Sequence, residues 1–273
     1  MSSRLLARRR LARFSAVNEM SLRDLRKVFV TSLKRARHLL SSASPPKLTM
    51  DDVLRNTGAR SIVEQFHLVW YDCASSSTMT WMGHPILKNP MDLWLYQEIL
   101  CARRPRLLIE TGTHHGGSAL YFSMIARMAD FPLDIVTIDF NPKLAYDPAA
   151  YCIHSVRAIS TTRFALDQVK KIRDALAREL GDDPQTMVVL DSDHSMQNVL
   201  DELTAYSPFV TPGDYLVVED TNVNGHPVLP RHGPGPFEAV RRFLSEHREF
   251  QSDAIGEKFL LTQNPGGWLR RIH

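Results

Sequence analysis

From Leu107 to the C-terminus, short continuous apolar runs alternate with stretches of helical periodicity. The runs are RLLIE, LDIVTID, YCIHSV, TMVVLD and GDYLVVED. The helical stretches are SALYFSMIARMAD, Ala165–Leu180, SMQNVLDELTAY and FEAVRRFLSEH. Strands that are apolar at every position, rather than at every second one, belong to a sheet covered on both faces. Strands that alternate with helices predict parallel pairing. Two last short runs, EFQSD and EKFLLT, lie close enough in sequence for a hairpin and predict an antiparallel edge. The expected fold is therefore α/β, a mostly parallel seven-stranded sheet with helices on both faces.

Such sheets bind ligands beyond the carboxyl ends of their strands, so the residues there matter most. The first strand ends in Glu110, followed by Thr111-Gly112-Thr113-His114-His115-Gly116-Gly117-Ser118. This is neither G-x-G-x-x-G nor a P-loop. Its glycines allow a tight turn and a close backbone approach, and the helix that follows offers free N–H groups. A nucleotide-like cofactor suits this turn, although an ordinary strand–turn–helix has the same outline. The second strand ends in Asp139, 29 residues after Glu110. A carboxylate there is placed to accept from both hydroxyls of a ribose; as an Asx turn before Pro142 it needs no ligand.

The fourth run ends in Asp191-Ser192-Asp193-His194 and the fifth in Glu219-Asp220. Neighbouring strands are about 4.8 Å apart, so Asp191, Glu219 and Asp220 can converge. Crowded carboxylates repel unless a cation neutralises them. Oxygen ligands favour Mg²⁺, Mn²⁺ or Ca²⁺ over zinc. Acidic helix caps explain Asp193 or Ser195 as well, but not two successive acids after Val217-Val218. His194, three residues beyond Asp191, is a candidate general base.

Charge divides the chain. Residues 1–50 hold twelve Lys/Arg and two acids, a net +10, so the other 223 residues carry −7 of the overall +3. Leu22, Leu25, Phe29, Leu33, Ala36 and Leu40 form one helical apolar stripe, with most cations off it. Such an arm can rest on an anionic membrane, serve as a targeting segment, or pack on its own domain. Aromatics are not interleaved with its charges, so nucleic acid is not an expected partner. The three regions expected are a basic arm (1–45), a helical lead-in (46–100) and a catalytic domain (101–273), with SSASPPK as a linker at 41–47. Three cysteines without C-x-x-C spacing argue against a disulfide framework. No apolar run reaches the roughly 20 residues of a membrane span. A cytoplasmic chain, peripheral to a membrane through residues 1–40, is the expectation, and self-association into a homo-oligomer stays open.

Several ordered segments carry a resemblance: TWMGHPILKNPMDLWLYQEIL, IETGTHHGGSAL, LDSDHS, GDYLVVEDTNVNGHP and GPGPFEAV. They resemble the cephalosporin hydroxylase family, which includes rhamnosyl O-methyltransferases, from Thr80 to Leu244. The resemblance implies a Rossmann-like class I methyltransferase fold that binds S-adenosylmethionine and Mg²⁺ (or Mn²⁺). It implies Glu110, Gly112, Gly117 and Ser118 around the methionine part, Asp139 on the ribose, and Ala158–Arg163 near adenine. The metal site is also similar to that of catechol O-methyltransferase, with Asp191, Glu219 and Asp220 as ligands and Asp191 also facing the cofactor. His194 stands where that template has a lysine, and Asp220 where it has an amide. Asp193 is an alternative ligand. The implied activity is metal-dependent methyl transfer to a hydroxyl of a sugar or natural-product acceptor. Trp81, His84, Lys88 and the NGHPVLPRHGPG loop are expected on the acceptor side, although Trp81 and Trp94 suit a core equally well. Two alternatives are an iron hydroxylase and a non-catalytic scaffold attached through the arm. The hydroxylase needs two His and a carboxylate, and the chain's H-x-[DE] is His247-Arg248-Glu249.

Overall fold

A computed structural model describes residues 57–273 apart from Ala74. The basic arm, the linker and the start of the lead-in lie outside the described residues.

Helix α1 (Thr57–Asp72) precedes a small ladder in which β1 (Thr80–Trp81) pairs antiparallel with β2 (His84–Pro85). Helix α2 (Pro90–Arg103) opens at Asn89, whose side chain accepts from Met91 N, with proline at its first position. Proline costs nothing there because that N–H has no intrahelical partner. Leu95, Tyr96, Ile99 and Leu100 of α2 are buried, so this helix is part of the main core.

The main sheet contains β3 (Leu107–Thr111), β4 (Asp134–Asp139), β5 (Ile153–Arg157), β6 (Thr186–Leu190), β7 (Tyr215–Val218), β8 (Phe250–Ser252) and β9 (Trp268–Arg271). Their spatial order is β5-β4-β3-β6-β7-β9-β8. The first five pair in parallel, and β9 runs antiparallel to both β7 and β8. Helices α3 (Gly117–Met128), α4 (Arg163–Leu180), α5 (Met196–Tyr206) and α6 (Pro236–Glu246) complete the layers. Alternate strand residues feed two cores. Leu108, Ile135, Met187, Val189 and Val217 pack with α2 and α3. Ile109, Val136, Val188, Leu190 and Val218 pack with α4, α5 and α6. This double covering is why the strands read as continuous apolar runs.

The hairpin expectation needs a correction. The partner of EFQSD is Trp268–Arg271, not EKFLLT. The EKFLLT residues form the end of a 3₁₀ turn and a loop. Its last residue, Thr262, and the next two, Gln263 and Asn264, are buried and committed to polar work: Gln263 N donates to Asp92 Oδ2 (2.9 Å), and Asn264 Oδ1 accepts from Asp220 N (2.8 Å). A ladder strand could not also make those bonds. Gly267 lets β9 close on the sheet, since a Cβ there would lie 2.3 Å from Val218 O.

The candidate active site

Chain order runs outward from β3 through β4 to β5, then returns to β6 on the other side of β3. Ligands settle in the crevice at such a reversal. Leu190 lies opposite both Thr111 and Val218, so Gly112, Asp191 and Glu219 are the first residues beyond three level strand ends. Gly112 has φ +85°, and a Cβ on it would lie 1.7 Å from Asp191 O. No other residue allows this contact between the ends of β3 and β6. Gly117 plays the same part against the segment before α2, with Pro85 O at 2.1 Å from a built Cβ.

These approaches frame a cavity of about 460 Å³, ordinary for a small-molecule site. Gly112, Gly117, Ser118 and Asp139 line it on one side, and Asp191, Asp193, His194 and Asp220 on the other. Ala158, Ile159 and Ser160, from the segment expected near adenine, close one end. Glu110 is fully buried and lies behind the wall. It accepts hydrogen bonds from Ser118 Oγ and, at 2.6 Å, from Thr137 Oγ1, and burial raises its pKa. It therefore shapes the turn from behind. Asp139 accepts from His114 N (2.8 Å) and Asn141 N (2.7 Å), fixing its carboxylate at the rim.

Asp191, His194 and Asp220 each offer a ligand atom, all within 4.8 Å of one another. Asp220 adopts φ +55°, which Asp tolerates, and its side chain meets His194 Nε2 at 3.2 Å. Burial lowers the His194 pKa, but the bond to Asp220 and the charges of Asp220 and Asp191 outweigh it and push it up to about 9. Burial opposes ionisation of Asp220 too, yet His194 holds its carboxyl below the usual range. Asp191 is pushed up to about 7 by burial and by repulsion from Glu219 and Asp220, against the pull of Lys88 and His194. Three carboxylates crowd against Lys88 and His194 here, an excess of negative charge that a divalent cation would relieve.

Glu219 is placed differently from its neighbour. It is buried, accepts from Tyr96 OH, and has Oε1 3.2 Å from Lys88 Nζ. It shares the Lys88 ammonium with Asp191, and its charge acts on both Asp191 and His194. Asp193 is exposed and accepts from Ser195 N (2.9 Å) at the start of α5. Lys88, expected on the acceptor side, is 2% exposed and pairs with Asp191 Oδ2 at 2.6 Å. His84 packs edge-on against Tyr146, and Trp81 against Tyr121. Trp94 is 60% exposed and does not belong to the core; its indole N–H donates to Glu98 (3.1 Å). The NGHPVLPRHGPG loop is tied to the site from outside: Asn224 Nδ2 donates to His194 O (3.2 Å), and His226 stacks on Phe237 and pairs with Glu238. His247 and Glu249 bond each other (2.9 Å) at the end of α6 and do not line the cavity.

Further residues of the site were not singled out in the sequence. His67 of α1 is buried with Nδ1 3.0 Å from Asn222 Nδ2, and burial lowers its pKa, so the neutral ring accepts. Tyr71, one turn on, has its phenol pushed up by burial and by the charges of Asp220 and Asp191. Asp92 and Tyr96 of α2 are buried, and Tyr96 OH donates to Glu219. Periodicity marks such helices as core, and no local motif signals a polar face aimed at a site more than 100 residues away.

Known proteins give the same outline. Residues 73–272 match the family model for rhamnosyl O-methyltransferase/CmcI. A rhamnosyl O-methyltransferase of Mycobacterium bovis is 39% identical over 216 residues, covering 77% of this chain and 85% of its own length. One from Mycobacterium leprae is 39% identical over 218 residues, covering 77% and 91%. A solved CmcI structure with Mg and SAM covers 72% of this chain and 78% of its own, at 19% identity and a TM-score of 0.54. CmcI with SAH superposes with a TM-score of 0.52 at 18% identity, covering 72% and 84%. By fold and by sequence, this chain belongs to the rhamnosyl O-methyltransferase/CmcI family, on a class I methyltransferase sheet.

Proposed function

We propose that the protein is a divalent-metal-dependent O-methyltransferase that moves the methyl group of S-adenosylmethionine to a hydroxyl of a sugar, a deoxyhexose such as a rhamnosyl unit being the favoured acceptor. The observation that carries this reading is the meeting of Asp191, His194 and Asp220 on the same cavity as the Gly112–Ser118 turn. The mycobacterial rhamnosyl O-methyltransferases, 39% identical over most of this chain, support the acceptor class.

The donor set fits a hard cation: two carboxylates and an imidazole within 4.8 Å, with Glu219 close by. Asp191 and Asp220 would hold the ion, with His194 or Asp193 beside it. The cofactor's methionine end fits the turn at Gly112, Gly117 and Ser118, and its ribose fits Asp139 at the rim. The ion supplies Lewis acidity and a template for the acceptor hydroxyl. Gly112 sets the backbone of β3 against Asp191, bringing the cofactor wall to the acidic cluster and aligning donor with acceptor. Such alignment is worth roughly 7–11 kcal/mol where it replaces a bimolecular encounter. His194 Nε2 is the candidate proton acceptor. Pairing with Asp220 keeps it protonated while no cation is near, and positive charge on Asp220 frees it at neutral pH.

The test is a transfer assay with S-adenosylmethionine and a panel of rhamnosides and other sugar diols, with Mg²⁺, with Mn²⁺, and with excess EDTA. Transfer to a sugar hydroxyl that EDTA stops and Mg²⁺ restores is expected. Undiminished transfer in EDTA would remove the metal from the reading, and cofactor binding without transfer to any sugar would remove the acceptor class.

A further inference from the structure

One buried acid takes no part in the chemistry described above. Glu202 of α5 is 1% exposed and does not line the cavity. Asn198, Glu202 and Tyr206 recur at four-residue spacing, so they share one face of α5. That face gathers three strand ends. Glu202 accepts from Ser192 Oγ (2.7 Å) beyond β6, and further hydroxyl bonds reach it from Ser160 beyond β5 and from Thr111 at the end of β3. Asn198 Nδ2 donates to the same Ser192 Oγ (3.0 Å), and Tyr206 OH donates to Ser160 O (2.5 Å). Thr111 Oγ1 accepts in turn from Asp191 N (3.2 Å). Burial raises the Glu202 pKa, and the three hydroxyls oppose that rise.

A carboxylate has no proton to give, so each hydroxyl that meets it must donate. The oxygen of that hydroxyl then only accepts from its other neighbours. Ser192 and Thr111 show this already, since each meets Glu202 and also accepts from an N–H. Ser160 and Ser192 both line the cavity, Ser160 at the end closed by Ala158 and Ile159. Resting on the cofactor reading above, we propose that Glu202 is a positioning residue that sets the base specificity of the cofactor pocket. By taking the hydroxyl protons of Ser160 and Ser192, it leaves acceptors alone to face the base. Acceptors suit the 6-amino group of adenine, which donates, and repel a 6-carbonyl, which also accepts. The choice of base is thus made in the helix layer, behind the cavity wall.

The experiment measures, by calorimetry on the full chain, the Kd of S-adenosylhomocysteine and of S-inosylhomocysteine, in which a carbonyl replaces the 6-amino group. Wild type, Glu202→Gln and Ser160→Ala are compared. Wild type is expected to prefer the adenine form by about tenfold or more. The amide of Glu202→Gln brings a donor of its own, so one hydroxyl must turn its proton away from it and toward the cavity. The preference is then expected to shrink by about threefold or more. A Glu202 that merely supports packing would weaken both ligands by the same factor, and an unchanged ratio overturns the proposal. Ser160→Ala removes an acceptor and leaves Glu202 in place, so it decides the matter if Glu202→Gln fails to fold. It is expected to weaken the adenine form more than the inosine form, and equal losses overturn the proposal. Equal affinity of wild type for both ligands overturns it as well, while leaving the cofactor reading intact. Failure of the cofactor reading looks different: wild type would bind neither ligand, and both ideas would fall.

Discussion

Asp220 is forced into an unusual posture that its role explains. Its backbone is left-handed, its N–H is held by Asn264, and its side chain turns to His194 while Glu219 meets Tyr96 and Lys88. Asp220→Asn is expected to lower methyl transfer by at least about 100-fold and to weaken Mn²⁺ binding in calorimetry; unchanged metal affinity would make Asp220 only a partner of His194. Asp92 permits a test through pH. Burial and the charge of Glu219 push its carboxyl up to about 8 from an ordinary 3.8, so the folded protein holds a proton that the unfolded chain releases. Its contribution to stability is full below about pH 4 and is lost as pH rises to about 8, at about 1.4 kcal/mol per pH unit in between. Asp92→Asn has no proton to lose and can still accept from Gln263 N. Denaturant midpoints between pH 5 and 9 should therefore fall less steeply for the variant than for wild type, and parallel curves would show Asp92 already ionised in the fold.

Helix α1 adds a scale that single residues do not show. It bonds the segment after β7 through His67 Nδ1, which accepts from Asn222 Nδ2, and Asn222 Oδ1 has no hydrogen-bond partner among the described residues. His67→Ala would leave the amide of Asn222 without this partner as well, at a cost of about 1–3 kcal/mol. Since His67 bonds Asn222 just after the acidic strand end and no residue of α1 lines the cofactor turn, the variant is expected to raise KM for the acceptor while leaving the Kd for S-adenosylmethionine near its wild-type value. A matched loss of both would mean that α1 supports the whole cavity. The same contrast explains what could be read from the sequence. Strands β3 to β7 announce themselves because both faces are buried, as the unbroken runs of Ile109, Val136 and Val188 record. Their terminal acids follow from the parallel topology, so Asp139, Asp191, Glu219 and Asp220 are legible in the sequence as strand-end residues. Strand β9 is different: Trp268-Leu269-Arg270-Arg271 is half polar, and EKFLLT, more apolar, outcompetes it by pattern although its end is pulled into a polar loop under Asp92. Lys88 was visible as a residue but not as a partner of Glu219, because ion pairs across 131 positions leave no local signature. A lysine beside a Pro-capped helix looks like surface until the fold encloses it.

At the scale of the whole molecule, charge and core are divided between different parts of the chain. The two apolar layers on the main sheet are built within the described residues, and the helices there include none long and apolar enough to cross a membrane. The net +10 of residues 1–50 stands against −7 for the rest. Cations near an anionic lipid surface contribute about 1 kcal/mol each, falling off within a Debye length, so an arm of this charge has ample attraction where the body has none. We therefore expect deletion of residues 1–45 to leave the thermal unfolding transition and methyl transfer to a water-soluble sugar acceptor unchanged. The same deletion should abolish co-sedimentation with vesicles rich in anionic lipid, and raising the salt should release the full-length chain from them. Lowered stability of the truncated protein would instead mean that the apolar stripe of Leu22, Leu25, Phe29 and Leu33 packs on the catalytic body. In that case full-length protein should ignore the vesicles at every salt concentration, because the apolar face would already be covered and the arm's cations would meet the acidic body first.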